Sequence, residues 1–324
     1  MIDRERNPDG LSPEALRLRD ELWALAPRPD FTVEAQIVVE TSAEVAYDWV
    51  DDLTSALGGE VRARLAGLPA SRKAAGAEPG ETYGEIEVTR YPDGRYAEPQ
   101  GLVLSEEGLR RLRNELADMP HIVRVTVGPL GADGIVDAGP VSLEITAPSG
   151  SPGWMRLSAY LRESAFMTAE TQRRWVNALL SFADGVNPGY GQIGYHRGDN
   201  TAVEETADAR VVDITRRSSD YTIGRSRRLL RGYDWLTIVP RELADALGGA
   251  EALVATGAFA QVRPLHRGGL AVLADSSFQD YDLAAAEPVF RALAPILPPG
   301  RPRLTPQPPT VPPAFVIDQD PADL

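Results

Sequence analysis

The sequence contains no cysteine and only three histidines, His121, His196 and His266. Without thiols there is no disulfide framework, no thiolate-bound zinc or iron–sulfur centre and no cysteine nucleophile. Three scattered histidines leave little for an imidazole metal site. Lysine is nearly missing too: Lys73 is the sole lysine among 33 basic residues. With frequent Ala, Gly, Pro and Asp, this is the composition of a high-GC bacterial genome. Positive charge is in deficit, with a net charge of −14 and a pI near 4.8. Phosphate contacts need cations, so nucleic-acid binding is not expected. Long apolar runs are absent: no stretch of 18 apolar residues occurs, and no membrane-spanning helix is expected. The start, Met1 to Pro8, is charged and lacks an apolar signal segment, which makes a cytoplasmic location the default.

What is present is an ordinary globular composition, 43% hydrophobic and 25% charged over 324 residues. That length supports one large domain or two smaller ones. The acidic excess lies mainly at the front, where residues 1–120 carry 24 acidic and 14 basic side chains.

Periodicity predicts a helix over Leu11–Ala26, with Ser12 as cap and Pro13 in the first turn. It predicts a strand over Phe31–Val39 and an amphipathic helix over Ser42–Leu57, closed by Gly58-Gly59. Residues 66–81 read as a polar loop. Thr82–Arg90 and the turn Pro92-Asp93-Gly94 read as a hairpin, and Ser105–Met119 as a helix whose capping box is incomplete because position 108 is Gly. Three strands follow, Ile122–Val127, Val141–Ala147 and Trp154–Leu161, then a helix over Thr168–Ala183 and a short Gly-rich strand over Tyr190–Tyr195. Residues 197–220 are irregular.

Trp235–Val239 reads as a buried strand, Arg241–Leu247 as a helix closed by Gly248-Gly249, Val262–Leu265 with Leu270–Ala274 as a hairpin, and Leu283–Ile296 as the last helix. Eight prolines fall within the sixteen residues 298–313, which predicts an extended tail. The fold class expected is α+β, a mainly antiparallel mixed sheet with helices packed on it, with a hint of two related halves in the strand–helix–strand segments 31–57 and 154–195. The organisation expected is a helical extension at 1–29, an α+β domain at 30–297 with a subdivision near 198–220, and the proline-rich tail at 298–324.

Candidate chemistry is sparse. Gly189-Tyr190-Gly191-Gln192-Ile193-Gly194 fits G-x-G-x-x-G, with Asp213 downstream. A dinucleotide site needs a strand before the glycines and a helix after them. Here a helix precedes, so a close-packed strand is the reading. G-x-S-x-G, H-E-x-x-H and P-loop patterns are absent. The adjacent acids Asp51-Asp52, Glu106-Glu107 and Glu204-Glu205 read as solvated. His196, beside Arg197 and Asp199, is the most reactive-looking histidine. No cofactor, metal or catalytic residue is expected, and the chain reads as a binding protein rather than an enzyme.

Two charged features remain. Glu44, Asp48, Asp51 and Asp52 gather on one side of the second predicted helix, an acidic stripe suited to a basic protein partner. Arg216, Arg217, Arg225, Arg227, Arg228 and Arg231 crowd into sixteen residues, suited either to an acidic group or to neutralising the fold's own acids. Arg225, Arg227 and Arg228, with the four acids, are the candidate partner-binding residues.

The block Arg231-Gly232-Tyr233-Asp234-Trp235-Leu236-Thr237-Ile238-Val239-Pro240, then Glu242-Leu243 and Leu247-Gly248-Gly249, resembles the C-terminal signature of the type VI immunity family, a G-x-x-W-L-T-F-L strand followed by an L…L-G-G helix. The order of elements resembles that family over residues 30–297, including the segment Gly101–Leu116 and the step from helix 168–184 to Gly189-Tyr190-Gly191. The chain departs from it with Ile-Val-Pro where Phe-Leu-Gly is usual, and with its proline-rich tail. The resemblance implies a non-catalytic protein that neutralises a cognate toxin by direct contact. The alternative is a scaffolding component of a larger assembly that docks through the tail. The sequence leaves the oligomeric state open.

Overall fold

The computed structural model describes residues 12–56, 63, 65–67, 78–91, 97–133, 135–136, 141–198, 202, 205, 219–302 and 307–324. The turn at Pro92-Asp93-Gly94, Gly58-Gly59, Asp199, Glu204, Asp213, Arg216 and Arg217 lie outside them. The helix α1 (Pro13–Leu25) starts where expected, with the Ser12 hydroxyl accepting from the Ala15 amide at 3.2 Å. It leads to β1 (Thr32–Glu40), α2 (Ala43–Ala56), β2 (Thr82–Thr89), β3 (Gln100–Val103), α3 (Glu106–Ala117), β4 (Ile122–Pro129), β5 (Val141–Thr146) and β6 (Trp154–Arg162). Then come α4 (Glu163–Phe166), α5 (Ala169–Gly185), β7 (Tyr190–Tyr195), α6 (Ser219–Thr222), β8 (Leu236–Val239), α7 (Arg241–Ala246), α8 (Gly249–Thr256), β9 (Gln261–Pro264), β10 (Leu270–Leu273) and α9 (Leu283–Leu293).

Among the described residues, ten strands join one sheet in the order β3-β2-β4-β5-β6-β1-β7-β8-β10-β9, and each of these pairings is antiparallel. This is the expected α+β class. The two strand–helix–strand segments meet within that single sheet, with β1 lying between β6 and β7.

The register explains why the strand sequences alternate. One cross-strand row runs Ile86, Val125, Leu143, Ala159, Ala35, Ile193, Leu236, Leu273. One residue along each strand, on the other face, the row reads Glu87, Arg124, Glu144, Ser158, Gln36, Gln192, Thr237. Successive side chains point to opposite faces, so a single register fixes one apolar and one polar face across the sheet. The apolar face joins the core built with Trp49 and Val50 of α2, Leu112 and Leu116 of α3, and Leu179 and Phe182 of α5, all of them buried. Trp49 meets Phe182 edge-on at 5.0 Å.

The polar face is open over β2 and β4 and buried over β1 and β7. There β1 is enclosed on both sides, which is why it is buried from Val33 to Val39 although Glu34 and Gln36 lie within it. Arg231 makes that burial tolerable. It is fully enclosed, pairs both nitrogens of its fork with Glu205 at 2.9 and 2.7 Å, and donates to Gln36 at 2.9 Å. Its guanidinium lies over the Tyr190 ring at 5.2 Å.

The expected helix at 241–247 is followed by a second, α8, because Gly248 turns the chain with φ of +82° rather than ending helical structure. The proline-rich tail returns to the body in its last residues. The Ile317 amide donates to the Tyr233 hydroxyl at 3.0 Å and Val316 is buried, while Arg301 pairs with Asp318 within the tail itself at 2.8 Å.

Candidate functional site

The second helix starts at a turn, where the Ser42 hydroxyl accepts from the Val45 amide at 3.3 Å. Ala46, Trp49 and Val50 face the core, which turns Glu44, Asp48 and Asp52 outward at successive i, i+4 positions. Opposite that stripe, α5 ends at Gly185 and hands over to Val186 and Asn187. Between the two lies a cleft of about 560 Å³, floored by Val39, Val45 and Phe182 and rimmed by Glu40, Glu44, Asp48, Asp52, Arg227 and Arg267. Three of the four acids singled out in the sequence therefore share one concavity with Arg227. Asp51 is not among its lining residues, and Arg225 and Arg228 are exposed away from it.

Acids outnumber arginines around the cleft, four to two. Partial burial pushes the Asp48 carboxyl above its ordinary value, and the neighbouring Glu44 charge adds to the rise; Arg113 acts the other way and Asp51 raises it further. Arg113 itself stacks on Tyr47 of α2 at 4.9 Å. Like charges four residues apart on one helix repel, so this wall is a place where a cation is favoured.

Arg227 forms the basic corner. It donates to the Asn187 carbonyl at 2.9 Å, approaches Glu242 at 3.3 Å and Glu40 at 3.4 Å, and lies over Trp154 at 5.4 Å. Its Nε and the Asn187 Oδ1 are buried without a hydrogen-bond partner among the described residues. Arg267 arrives on the β9–β10 hairpin, which Asp184 holds through Arg263 at 2.8 Å and the His266 amide at 2.9 Å. Sequence reasoning missed Arg267, because only the tertiary fold brings that hairpin to the end of α5.

Of the arginine cluster, Arg231 is internal, Arg227 belongs to the cleft, and Arg225 and Arg228 face solvent. The sequence grouping thus divides into three environments.

His196 lies elsewhere. Its Nδ1 is 3.3 Å from the carboxylate of Glu34, and its ring meets Tyr160 edge-on at 4.9 Å. Burial drives the Glu34 carboxyl up, yet the His196 contact, the Arg156 charge and the Ser158 hydroxyl at 2.7 Å together hold it below its ordinary value. Glu34 and Glu40 are six residues apart on β1, roughly 20 Å at the usual strand rise. His196 and Arg227, held at Glu34 and Glu40, therefore stand far apart.

The glycine pattern runs from Gly189, just before β7, to Gly194 within it, and no helix follows directly on His196 among the described residues. A Cβ at Gly194 would fall 2.0 Å from the Asp234 carboxylate, which pairs with Arg197 at 3.2 Å. The glycine makes room for a buried ion pair. Among the described residues no group of three or more His, Asp or Glu side chains could hold a metal ion, and no helix is long and apolar enough to cross a membrane.

No protein-family model matches the chain, and no curated protein matches it significantly. The fold is similar to that of the Pseudomonas aeruginosa T6SS protein PA0821, with a TM-score of 0.52 at 12% identity, covering 90% of this chain and 86% of that one. At that identity the likeness is one of fold.

Proposed function

We propose that the chain is a protein-binding module that takes a basic segment of its partner into the cleft between α2 and the end of α5. The observation that carries this is the acidic wall: Glu44, Asp48 and Asp52 line one side of a concavity, and partial burial together with the Glu44 charge raises the Asp48 carboxyl. A partner arginine or lysine would relieve the repulsion, and the apolar floor would take its aliphatic stem. On this reading the acids steer and hold, with no catalytic step.

The finer reading is that the partner is a toxin and that the chain neutralises it from the cytoplasm of the producing cell. Two things support it. The Trp235-Leu236-Thr237 block and the order of elements resemble the type VI immunity family, and the fold is similar to that of a protein described as belonging to a T6SS. The scaffolding alternative docks through the proline-rich stretch 298–313; the Pro313 carbonyl accepts from Arg197, and the buried Val316 and the Ile317 bond to Tyr233 tie the residues after that stretch to the body.

The test is affinity capture from a native cell extract with the tagged wild type and with D48K/D51K/D52K. The expected result is one stoichiometric protein with a basic segment on the wild type, lost from the variant. Capture of the same protein at equal yield on both would sink the cleft assignment. A multi-subunit assembly insensitive to the charge reversal would favour the scaffold.

A further inference from the structure

Helix α1 buries none of its residues, although it is rich in leucine. Leu18 is 55% exposed, Leu22 58% and Leu25 81%. With Ala15 they fall at spacings of three, four and three, the a and d positions of a two-heptad seam. Leu16, Arg19 and Trp23, like Ala15, are half-buried, and on the neighbouring face Arg19 bonds Asp20 at 3.0 Å and stacks on Trp23 at 4.5 Å. The leucine stripe therefore points away from the side of the helix that is covered.

We infer that α1 is a self-association helix whose stripe packs against the same stripe of a second copy, in parallel. The charges flanking the seam select that occupant. Placing Ala15 and Leu22 at a, and Leu18 and Leu25 at d, puts Glu14 and Glu21 at g and Arg19 at e. In a parallel pair each g residue faces the e residue five positions later on the partner helix, so Glu14 meets Arg19 of the other copy twice, once on each side. In an antiparallel pair g faces g and e faces e, which sets Glu against Glu and Arg against Arg. Leucine at both d positions suits a two-stranded parallel seam. Arg17 and Glu21 bridge along each helix at 3.6 Å and support it as a helix in the assembly. Thirteen residues make a short seam, so the dimer is expected to be weak and reversible. This inference is independent of the cleft.

The test is sedimentation velocity of the full chain from about 1 to 200 μM at physiological salt, with four variants beside the wild type. The wild type is expected to pass from monomer to dimer. L22E, which changes an exposed position and leaves the core alone, is expected to remain monomeric. E14R and R19E, each setting like charges together, are expected to weaken association about tenfold, and E14R/R19E to restore it. A wild type that stays monomeric at 200 μM would overturn the inference, as would a dimer that survives L22E. A double variant no better than the single ones would overturn the parallel arrangement. Circular dichroism of each variant, expected to be unchanged, separates loss of association from loss of folding.

Discussion

Asp48 stands four residues from both Glu44 and Asp52 and three from Asp51. Its raised carboxyl means that the folded chain holds this proton more tightly than the unfolded chain does. Stability from this group therefore falls as pH climbs above the ordinary aspartate value of 3.8. D48N removes the repulsion at all pH values. We expect it to stabilise the free protein by about 0.5 kcal/mol in urea denaturation at pH 7, while lowering the yield of captured partner. Glu34 has the opposite sign. Its depressed value means that its contribution is present above the ordinary glutamate value of 4.5 and is lost as pH falls through the folded value. E34Q should accordingly be less stable at pH 7 and show a shallower decline in acid, as followed by thermal melts between pH 3 and 7. Arg231 is the side chain on which the buried polar face depends. R231A leaves Glu205 charged and buried and should cost about 3–5 kcal/mol, whereas R231M/E205L should recover most of that loss in the same denaturation series.

At the scale of elements, the parts most legible in the sequence were those whose signal is local. Ser12, Ser105 and Thr168 all cap helices where the sequence places them, each accepting from the amide three residues on. The alternation at Leu143 and Ile145 becomes one buried face of β5, with Ser142, Glu144 and Thr146 only half-buried on the other. What was not legible came from contacts distant in sequence. Alternation in β1 reads as a half-exposed strand, yet the side chains of Glu205, Thr222 and Arg231 close over its polar side. Gly248-Gly249 reads as an end, yet only the left-handed turn it provides is used, and α8 continues beyond. The acidic stripe of α2 was visible from spacing alone, but its cleft was not, since α5, Arg227 and Arg267 reach it from three separate parts of the chain. The tail read as extended and carries a buried Val316. Deleting residues 314–324 is expected to lower the thermal midpoint by several degrees, consistent with about 1.5–3 kcal/mol for one buried valine. An unchanged midpoint would mean that the tail contacts contribute nothing.

For the whole molecule, the ten-stranded sheet separates two chemistries. Its apolar face joins the helix-packed core, and the charged row Glu87, Arg124, Glu144 runs along its open polar face, bound across strands at 3.8 and 3.0 Å. That row is largely self-neutralised. Around the cleft at the far end of β1, Glu40, Glu44, Asp48 and Asp52 outnumber Arg227 and Arg267, and that excess is why the proposed binding surface is placed there. The most direct test is a calorimetric titration of the captured partner into wild type, D48K/D52K and R225E/R228E at 150 mM salt. The account predicts affinity at least tenfold weaker for D48K/D52K, about 1.4 kcal/mol, and unchanged for R225E/R228E, whose side chains lie outside the cleft. Equal affinity for wild type and D48K/D52K would contradict it.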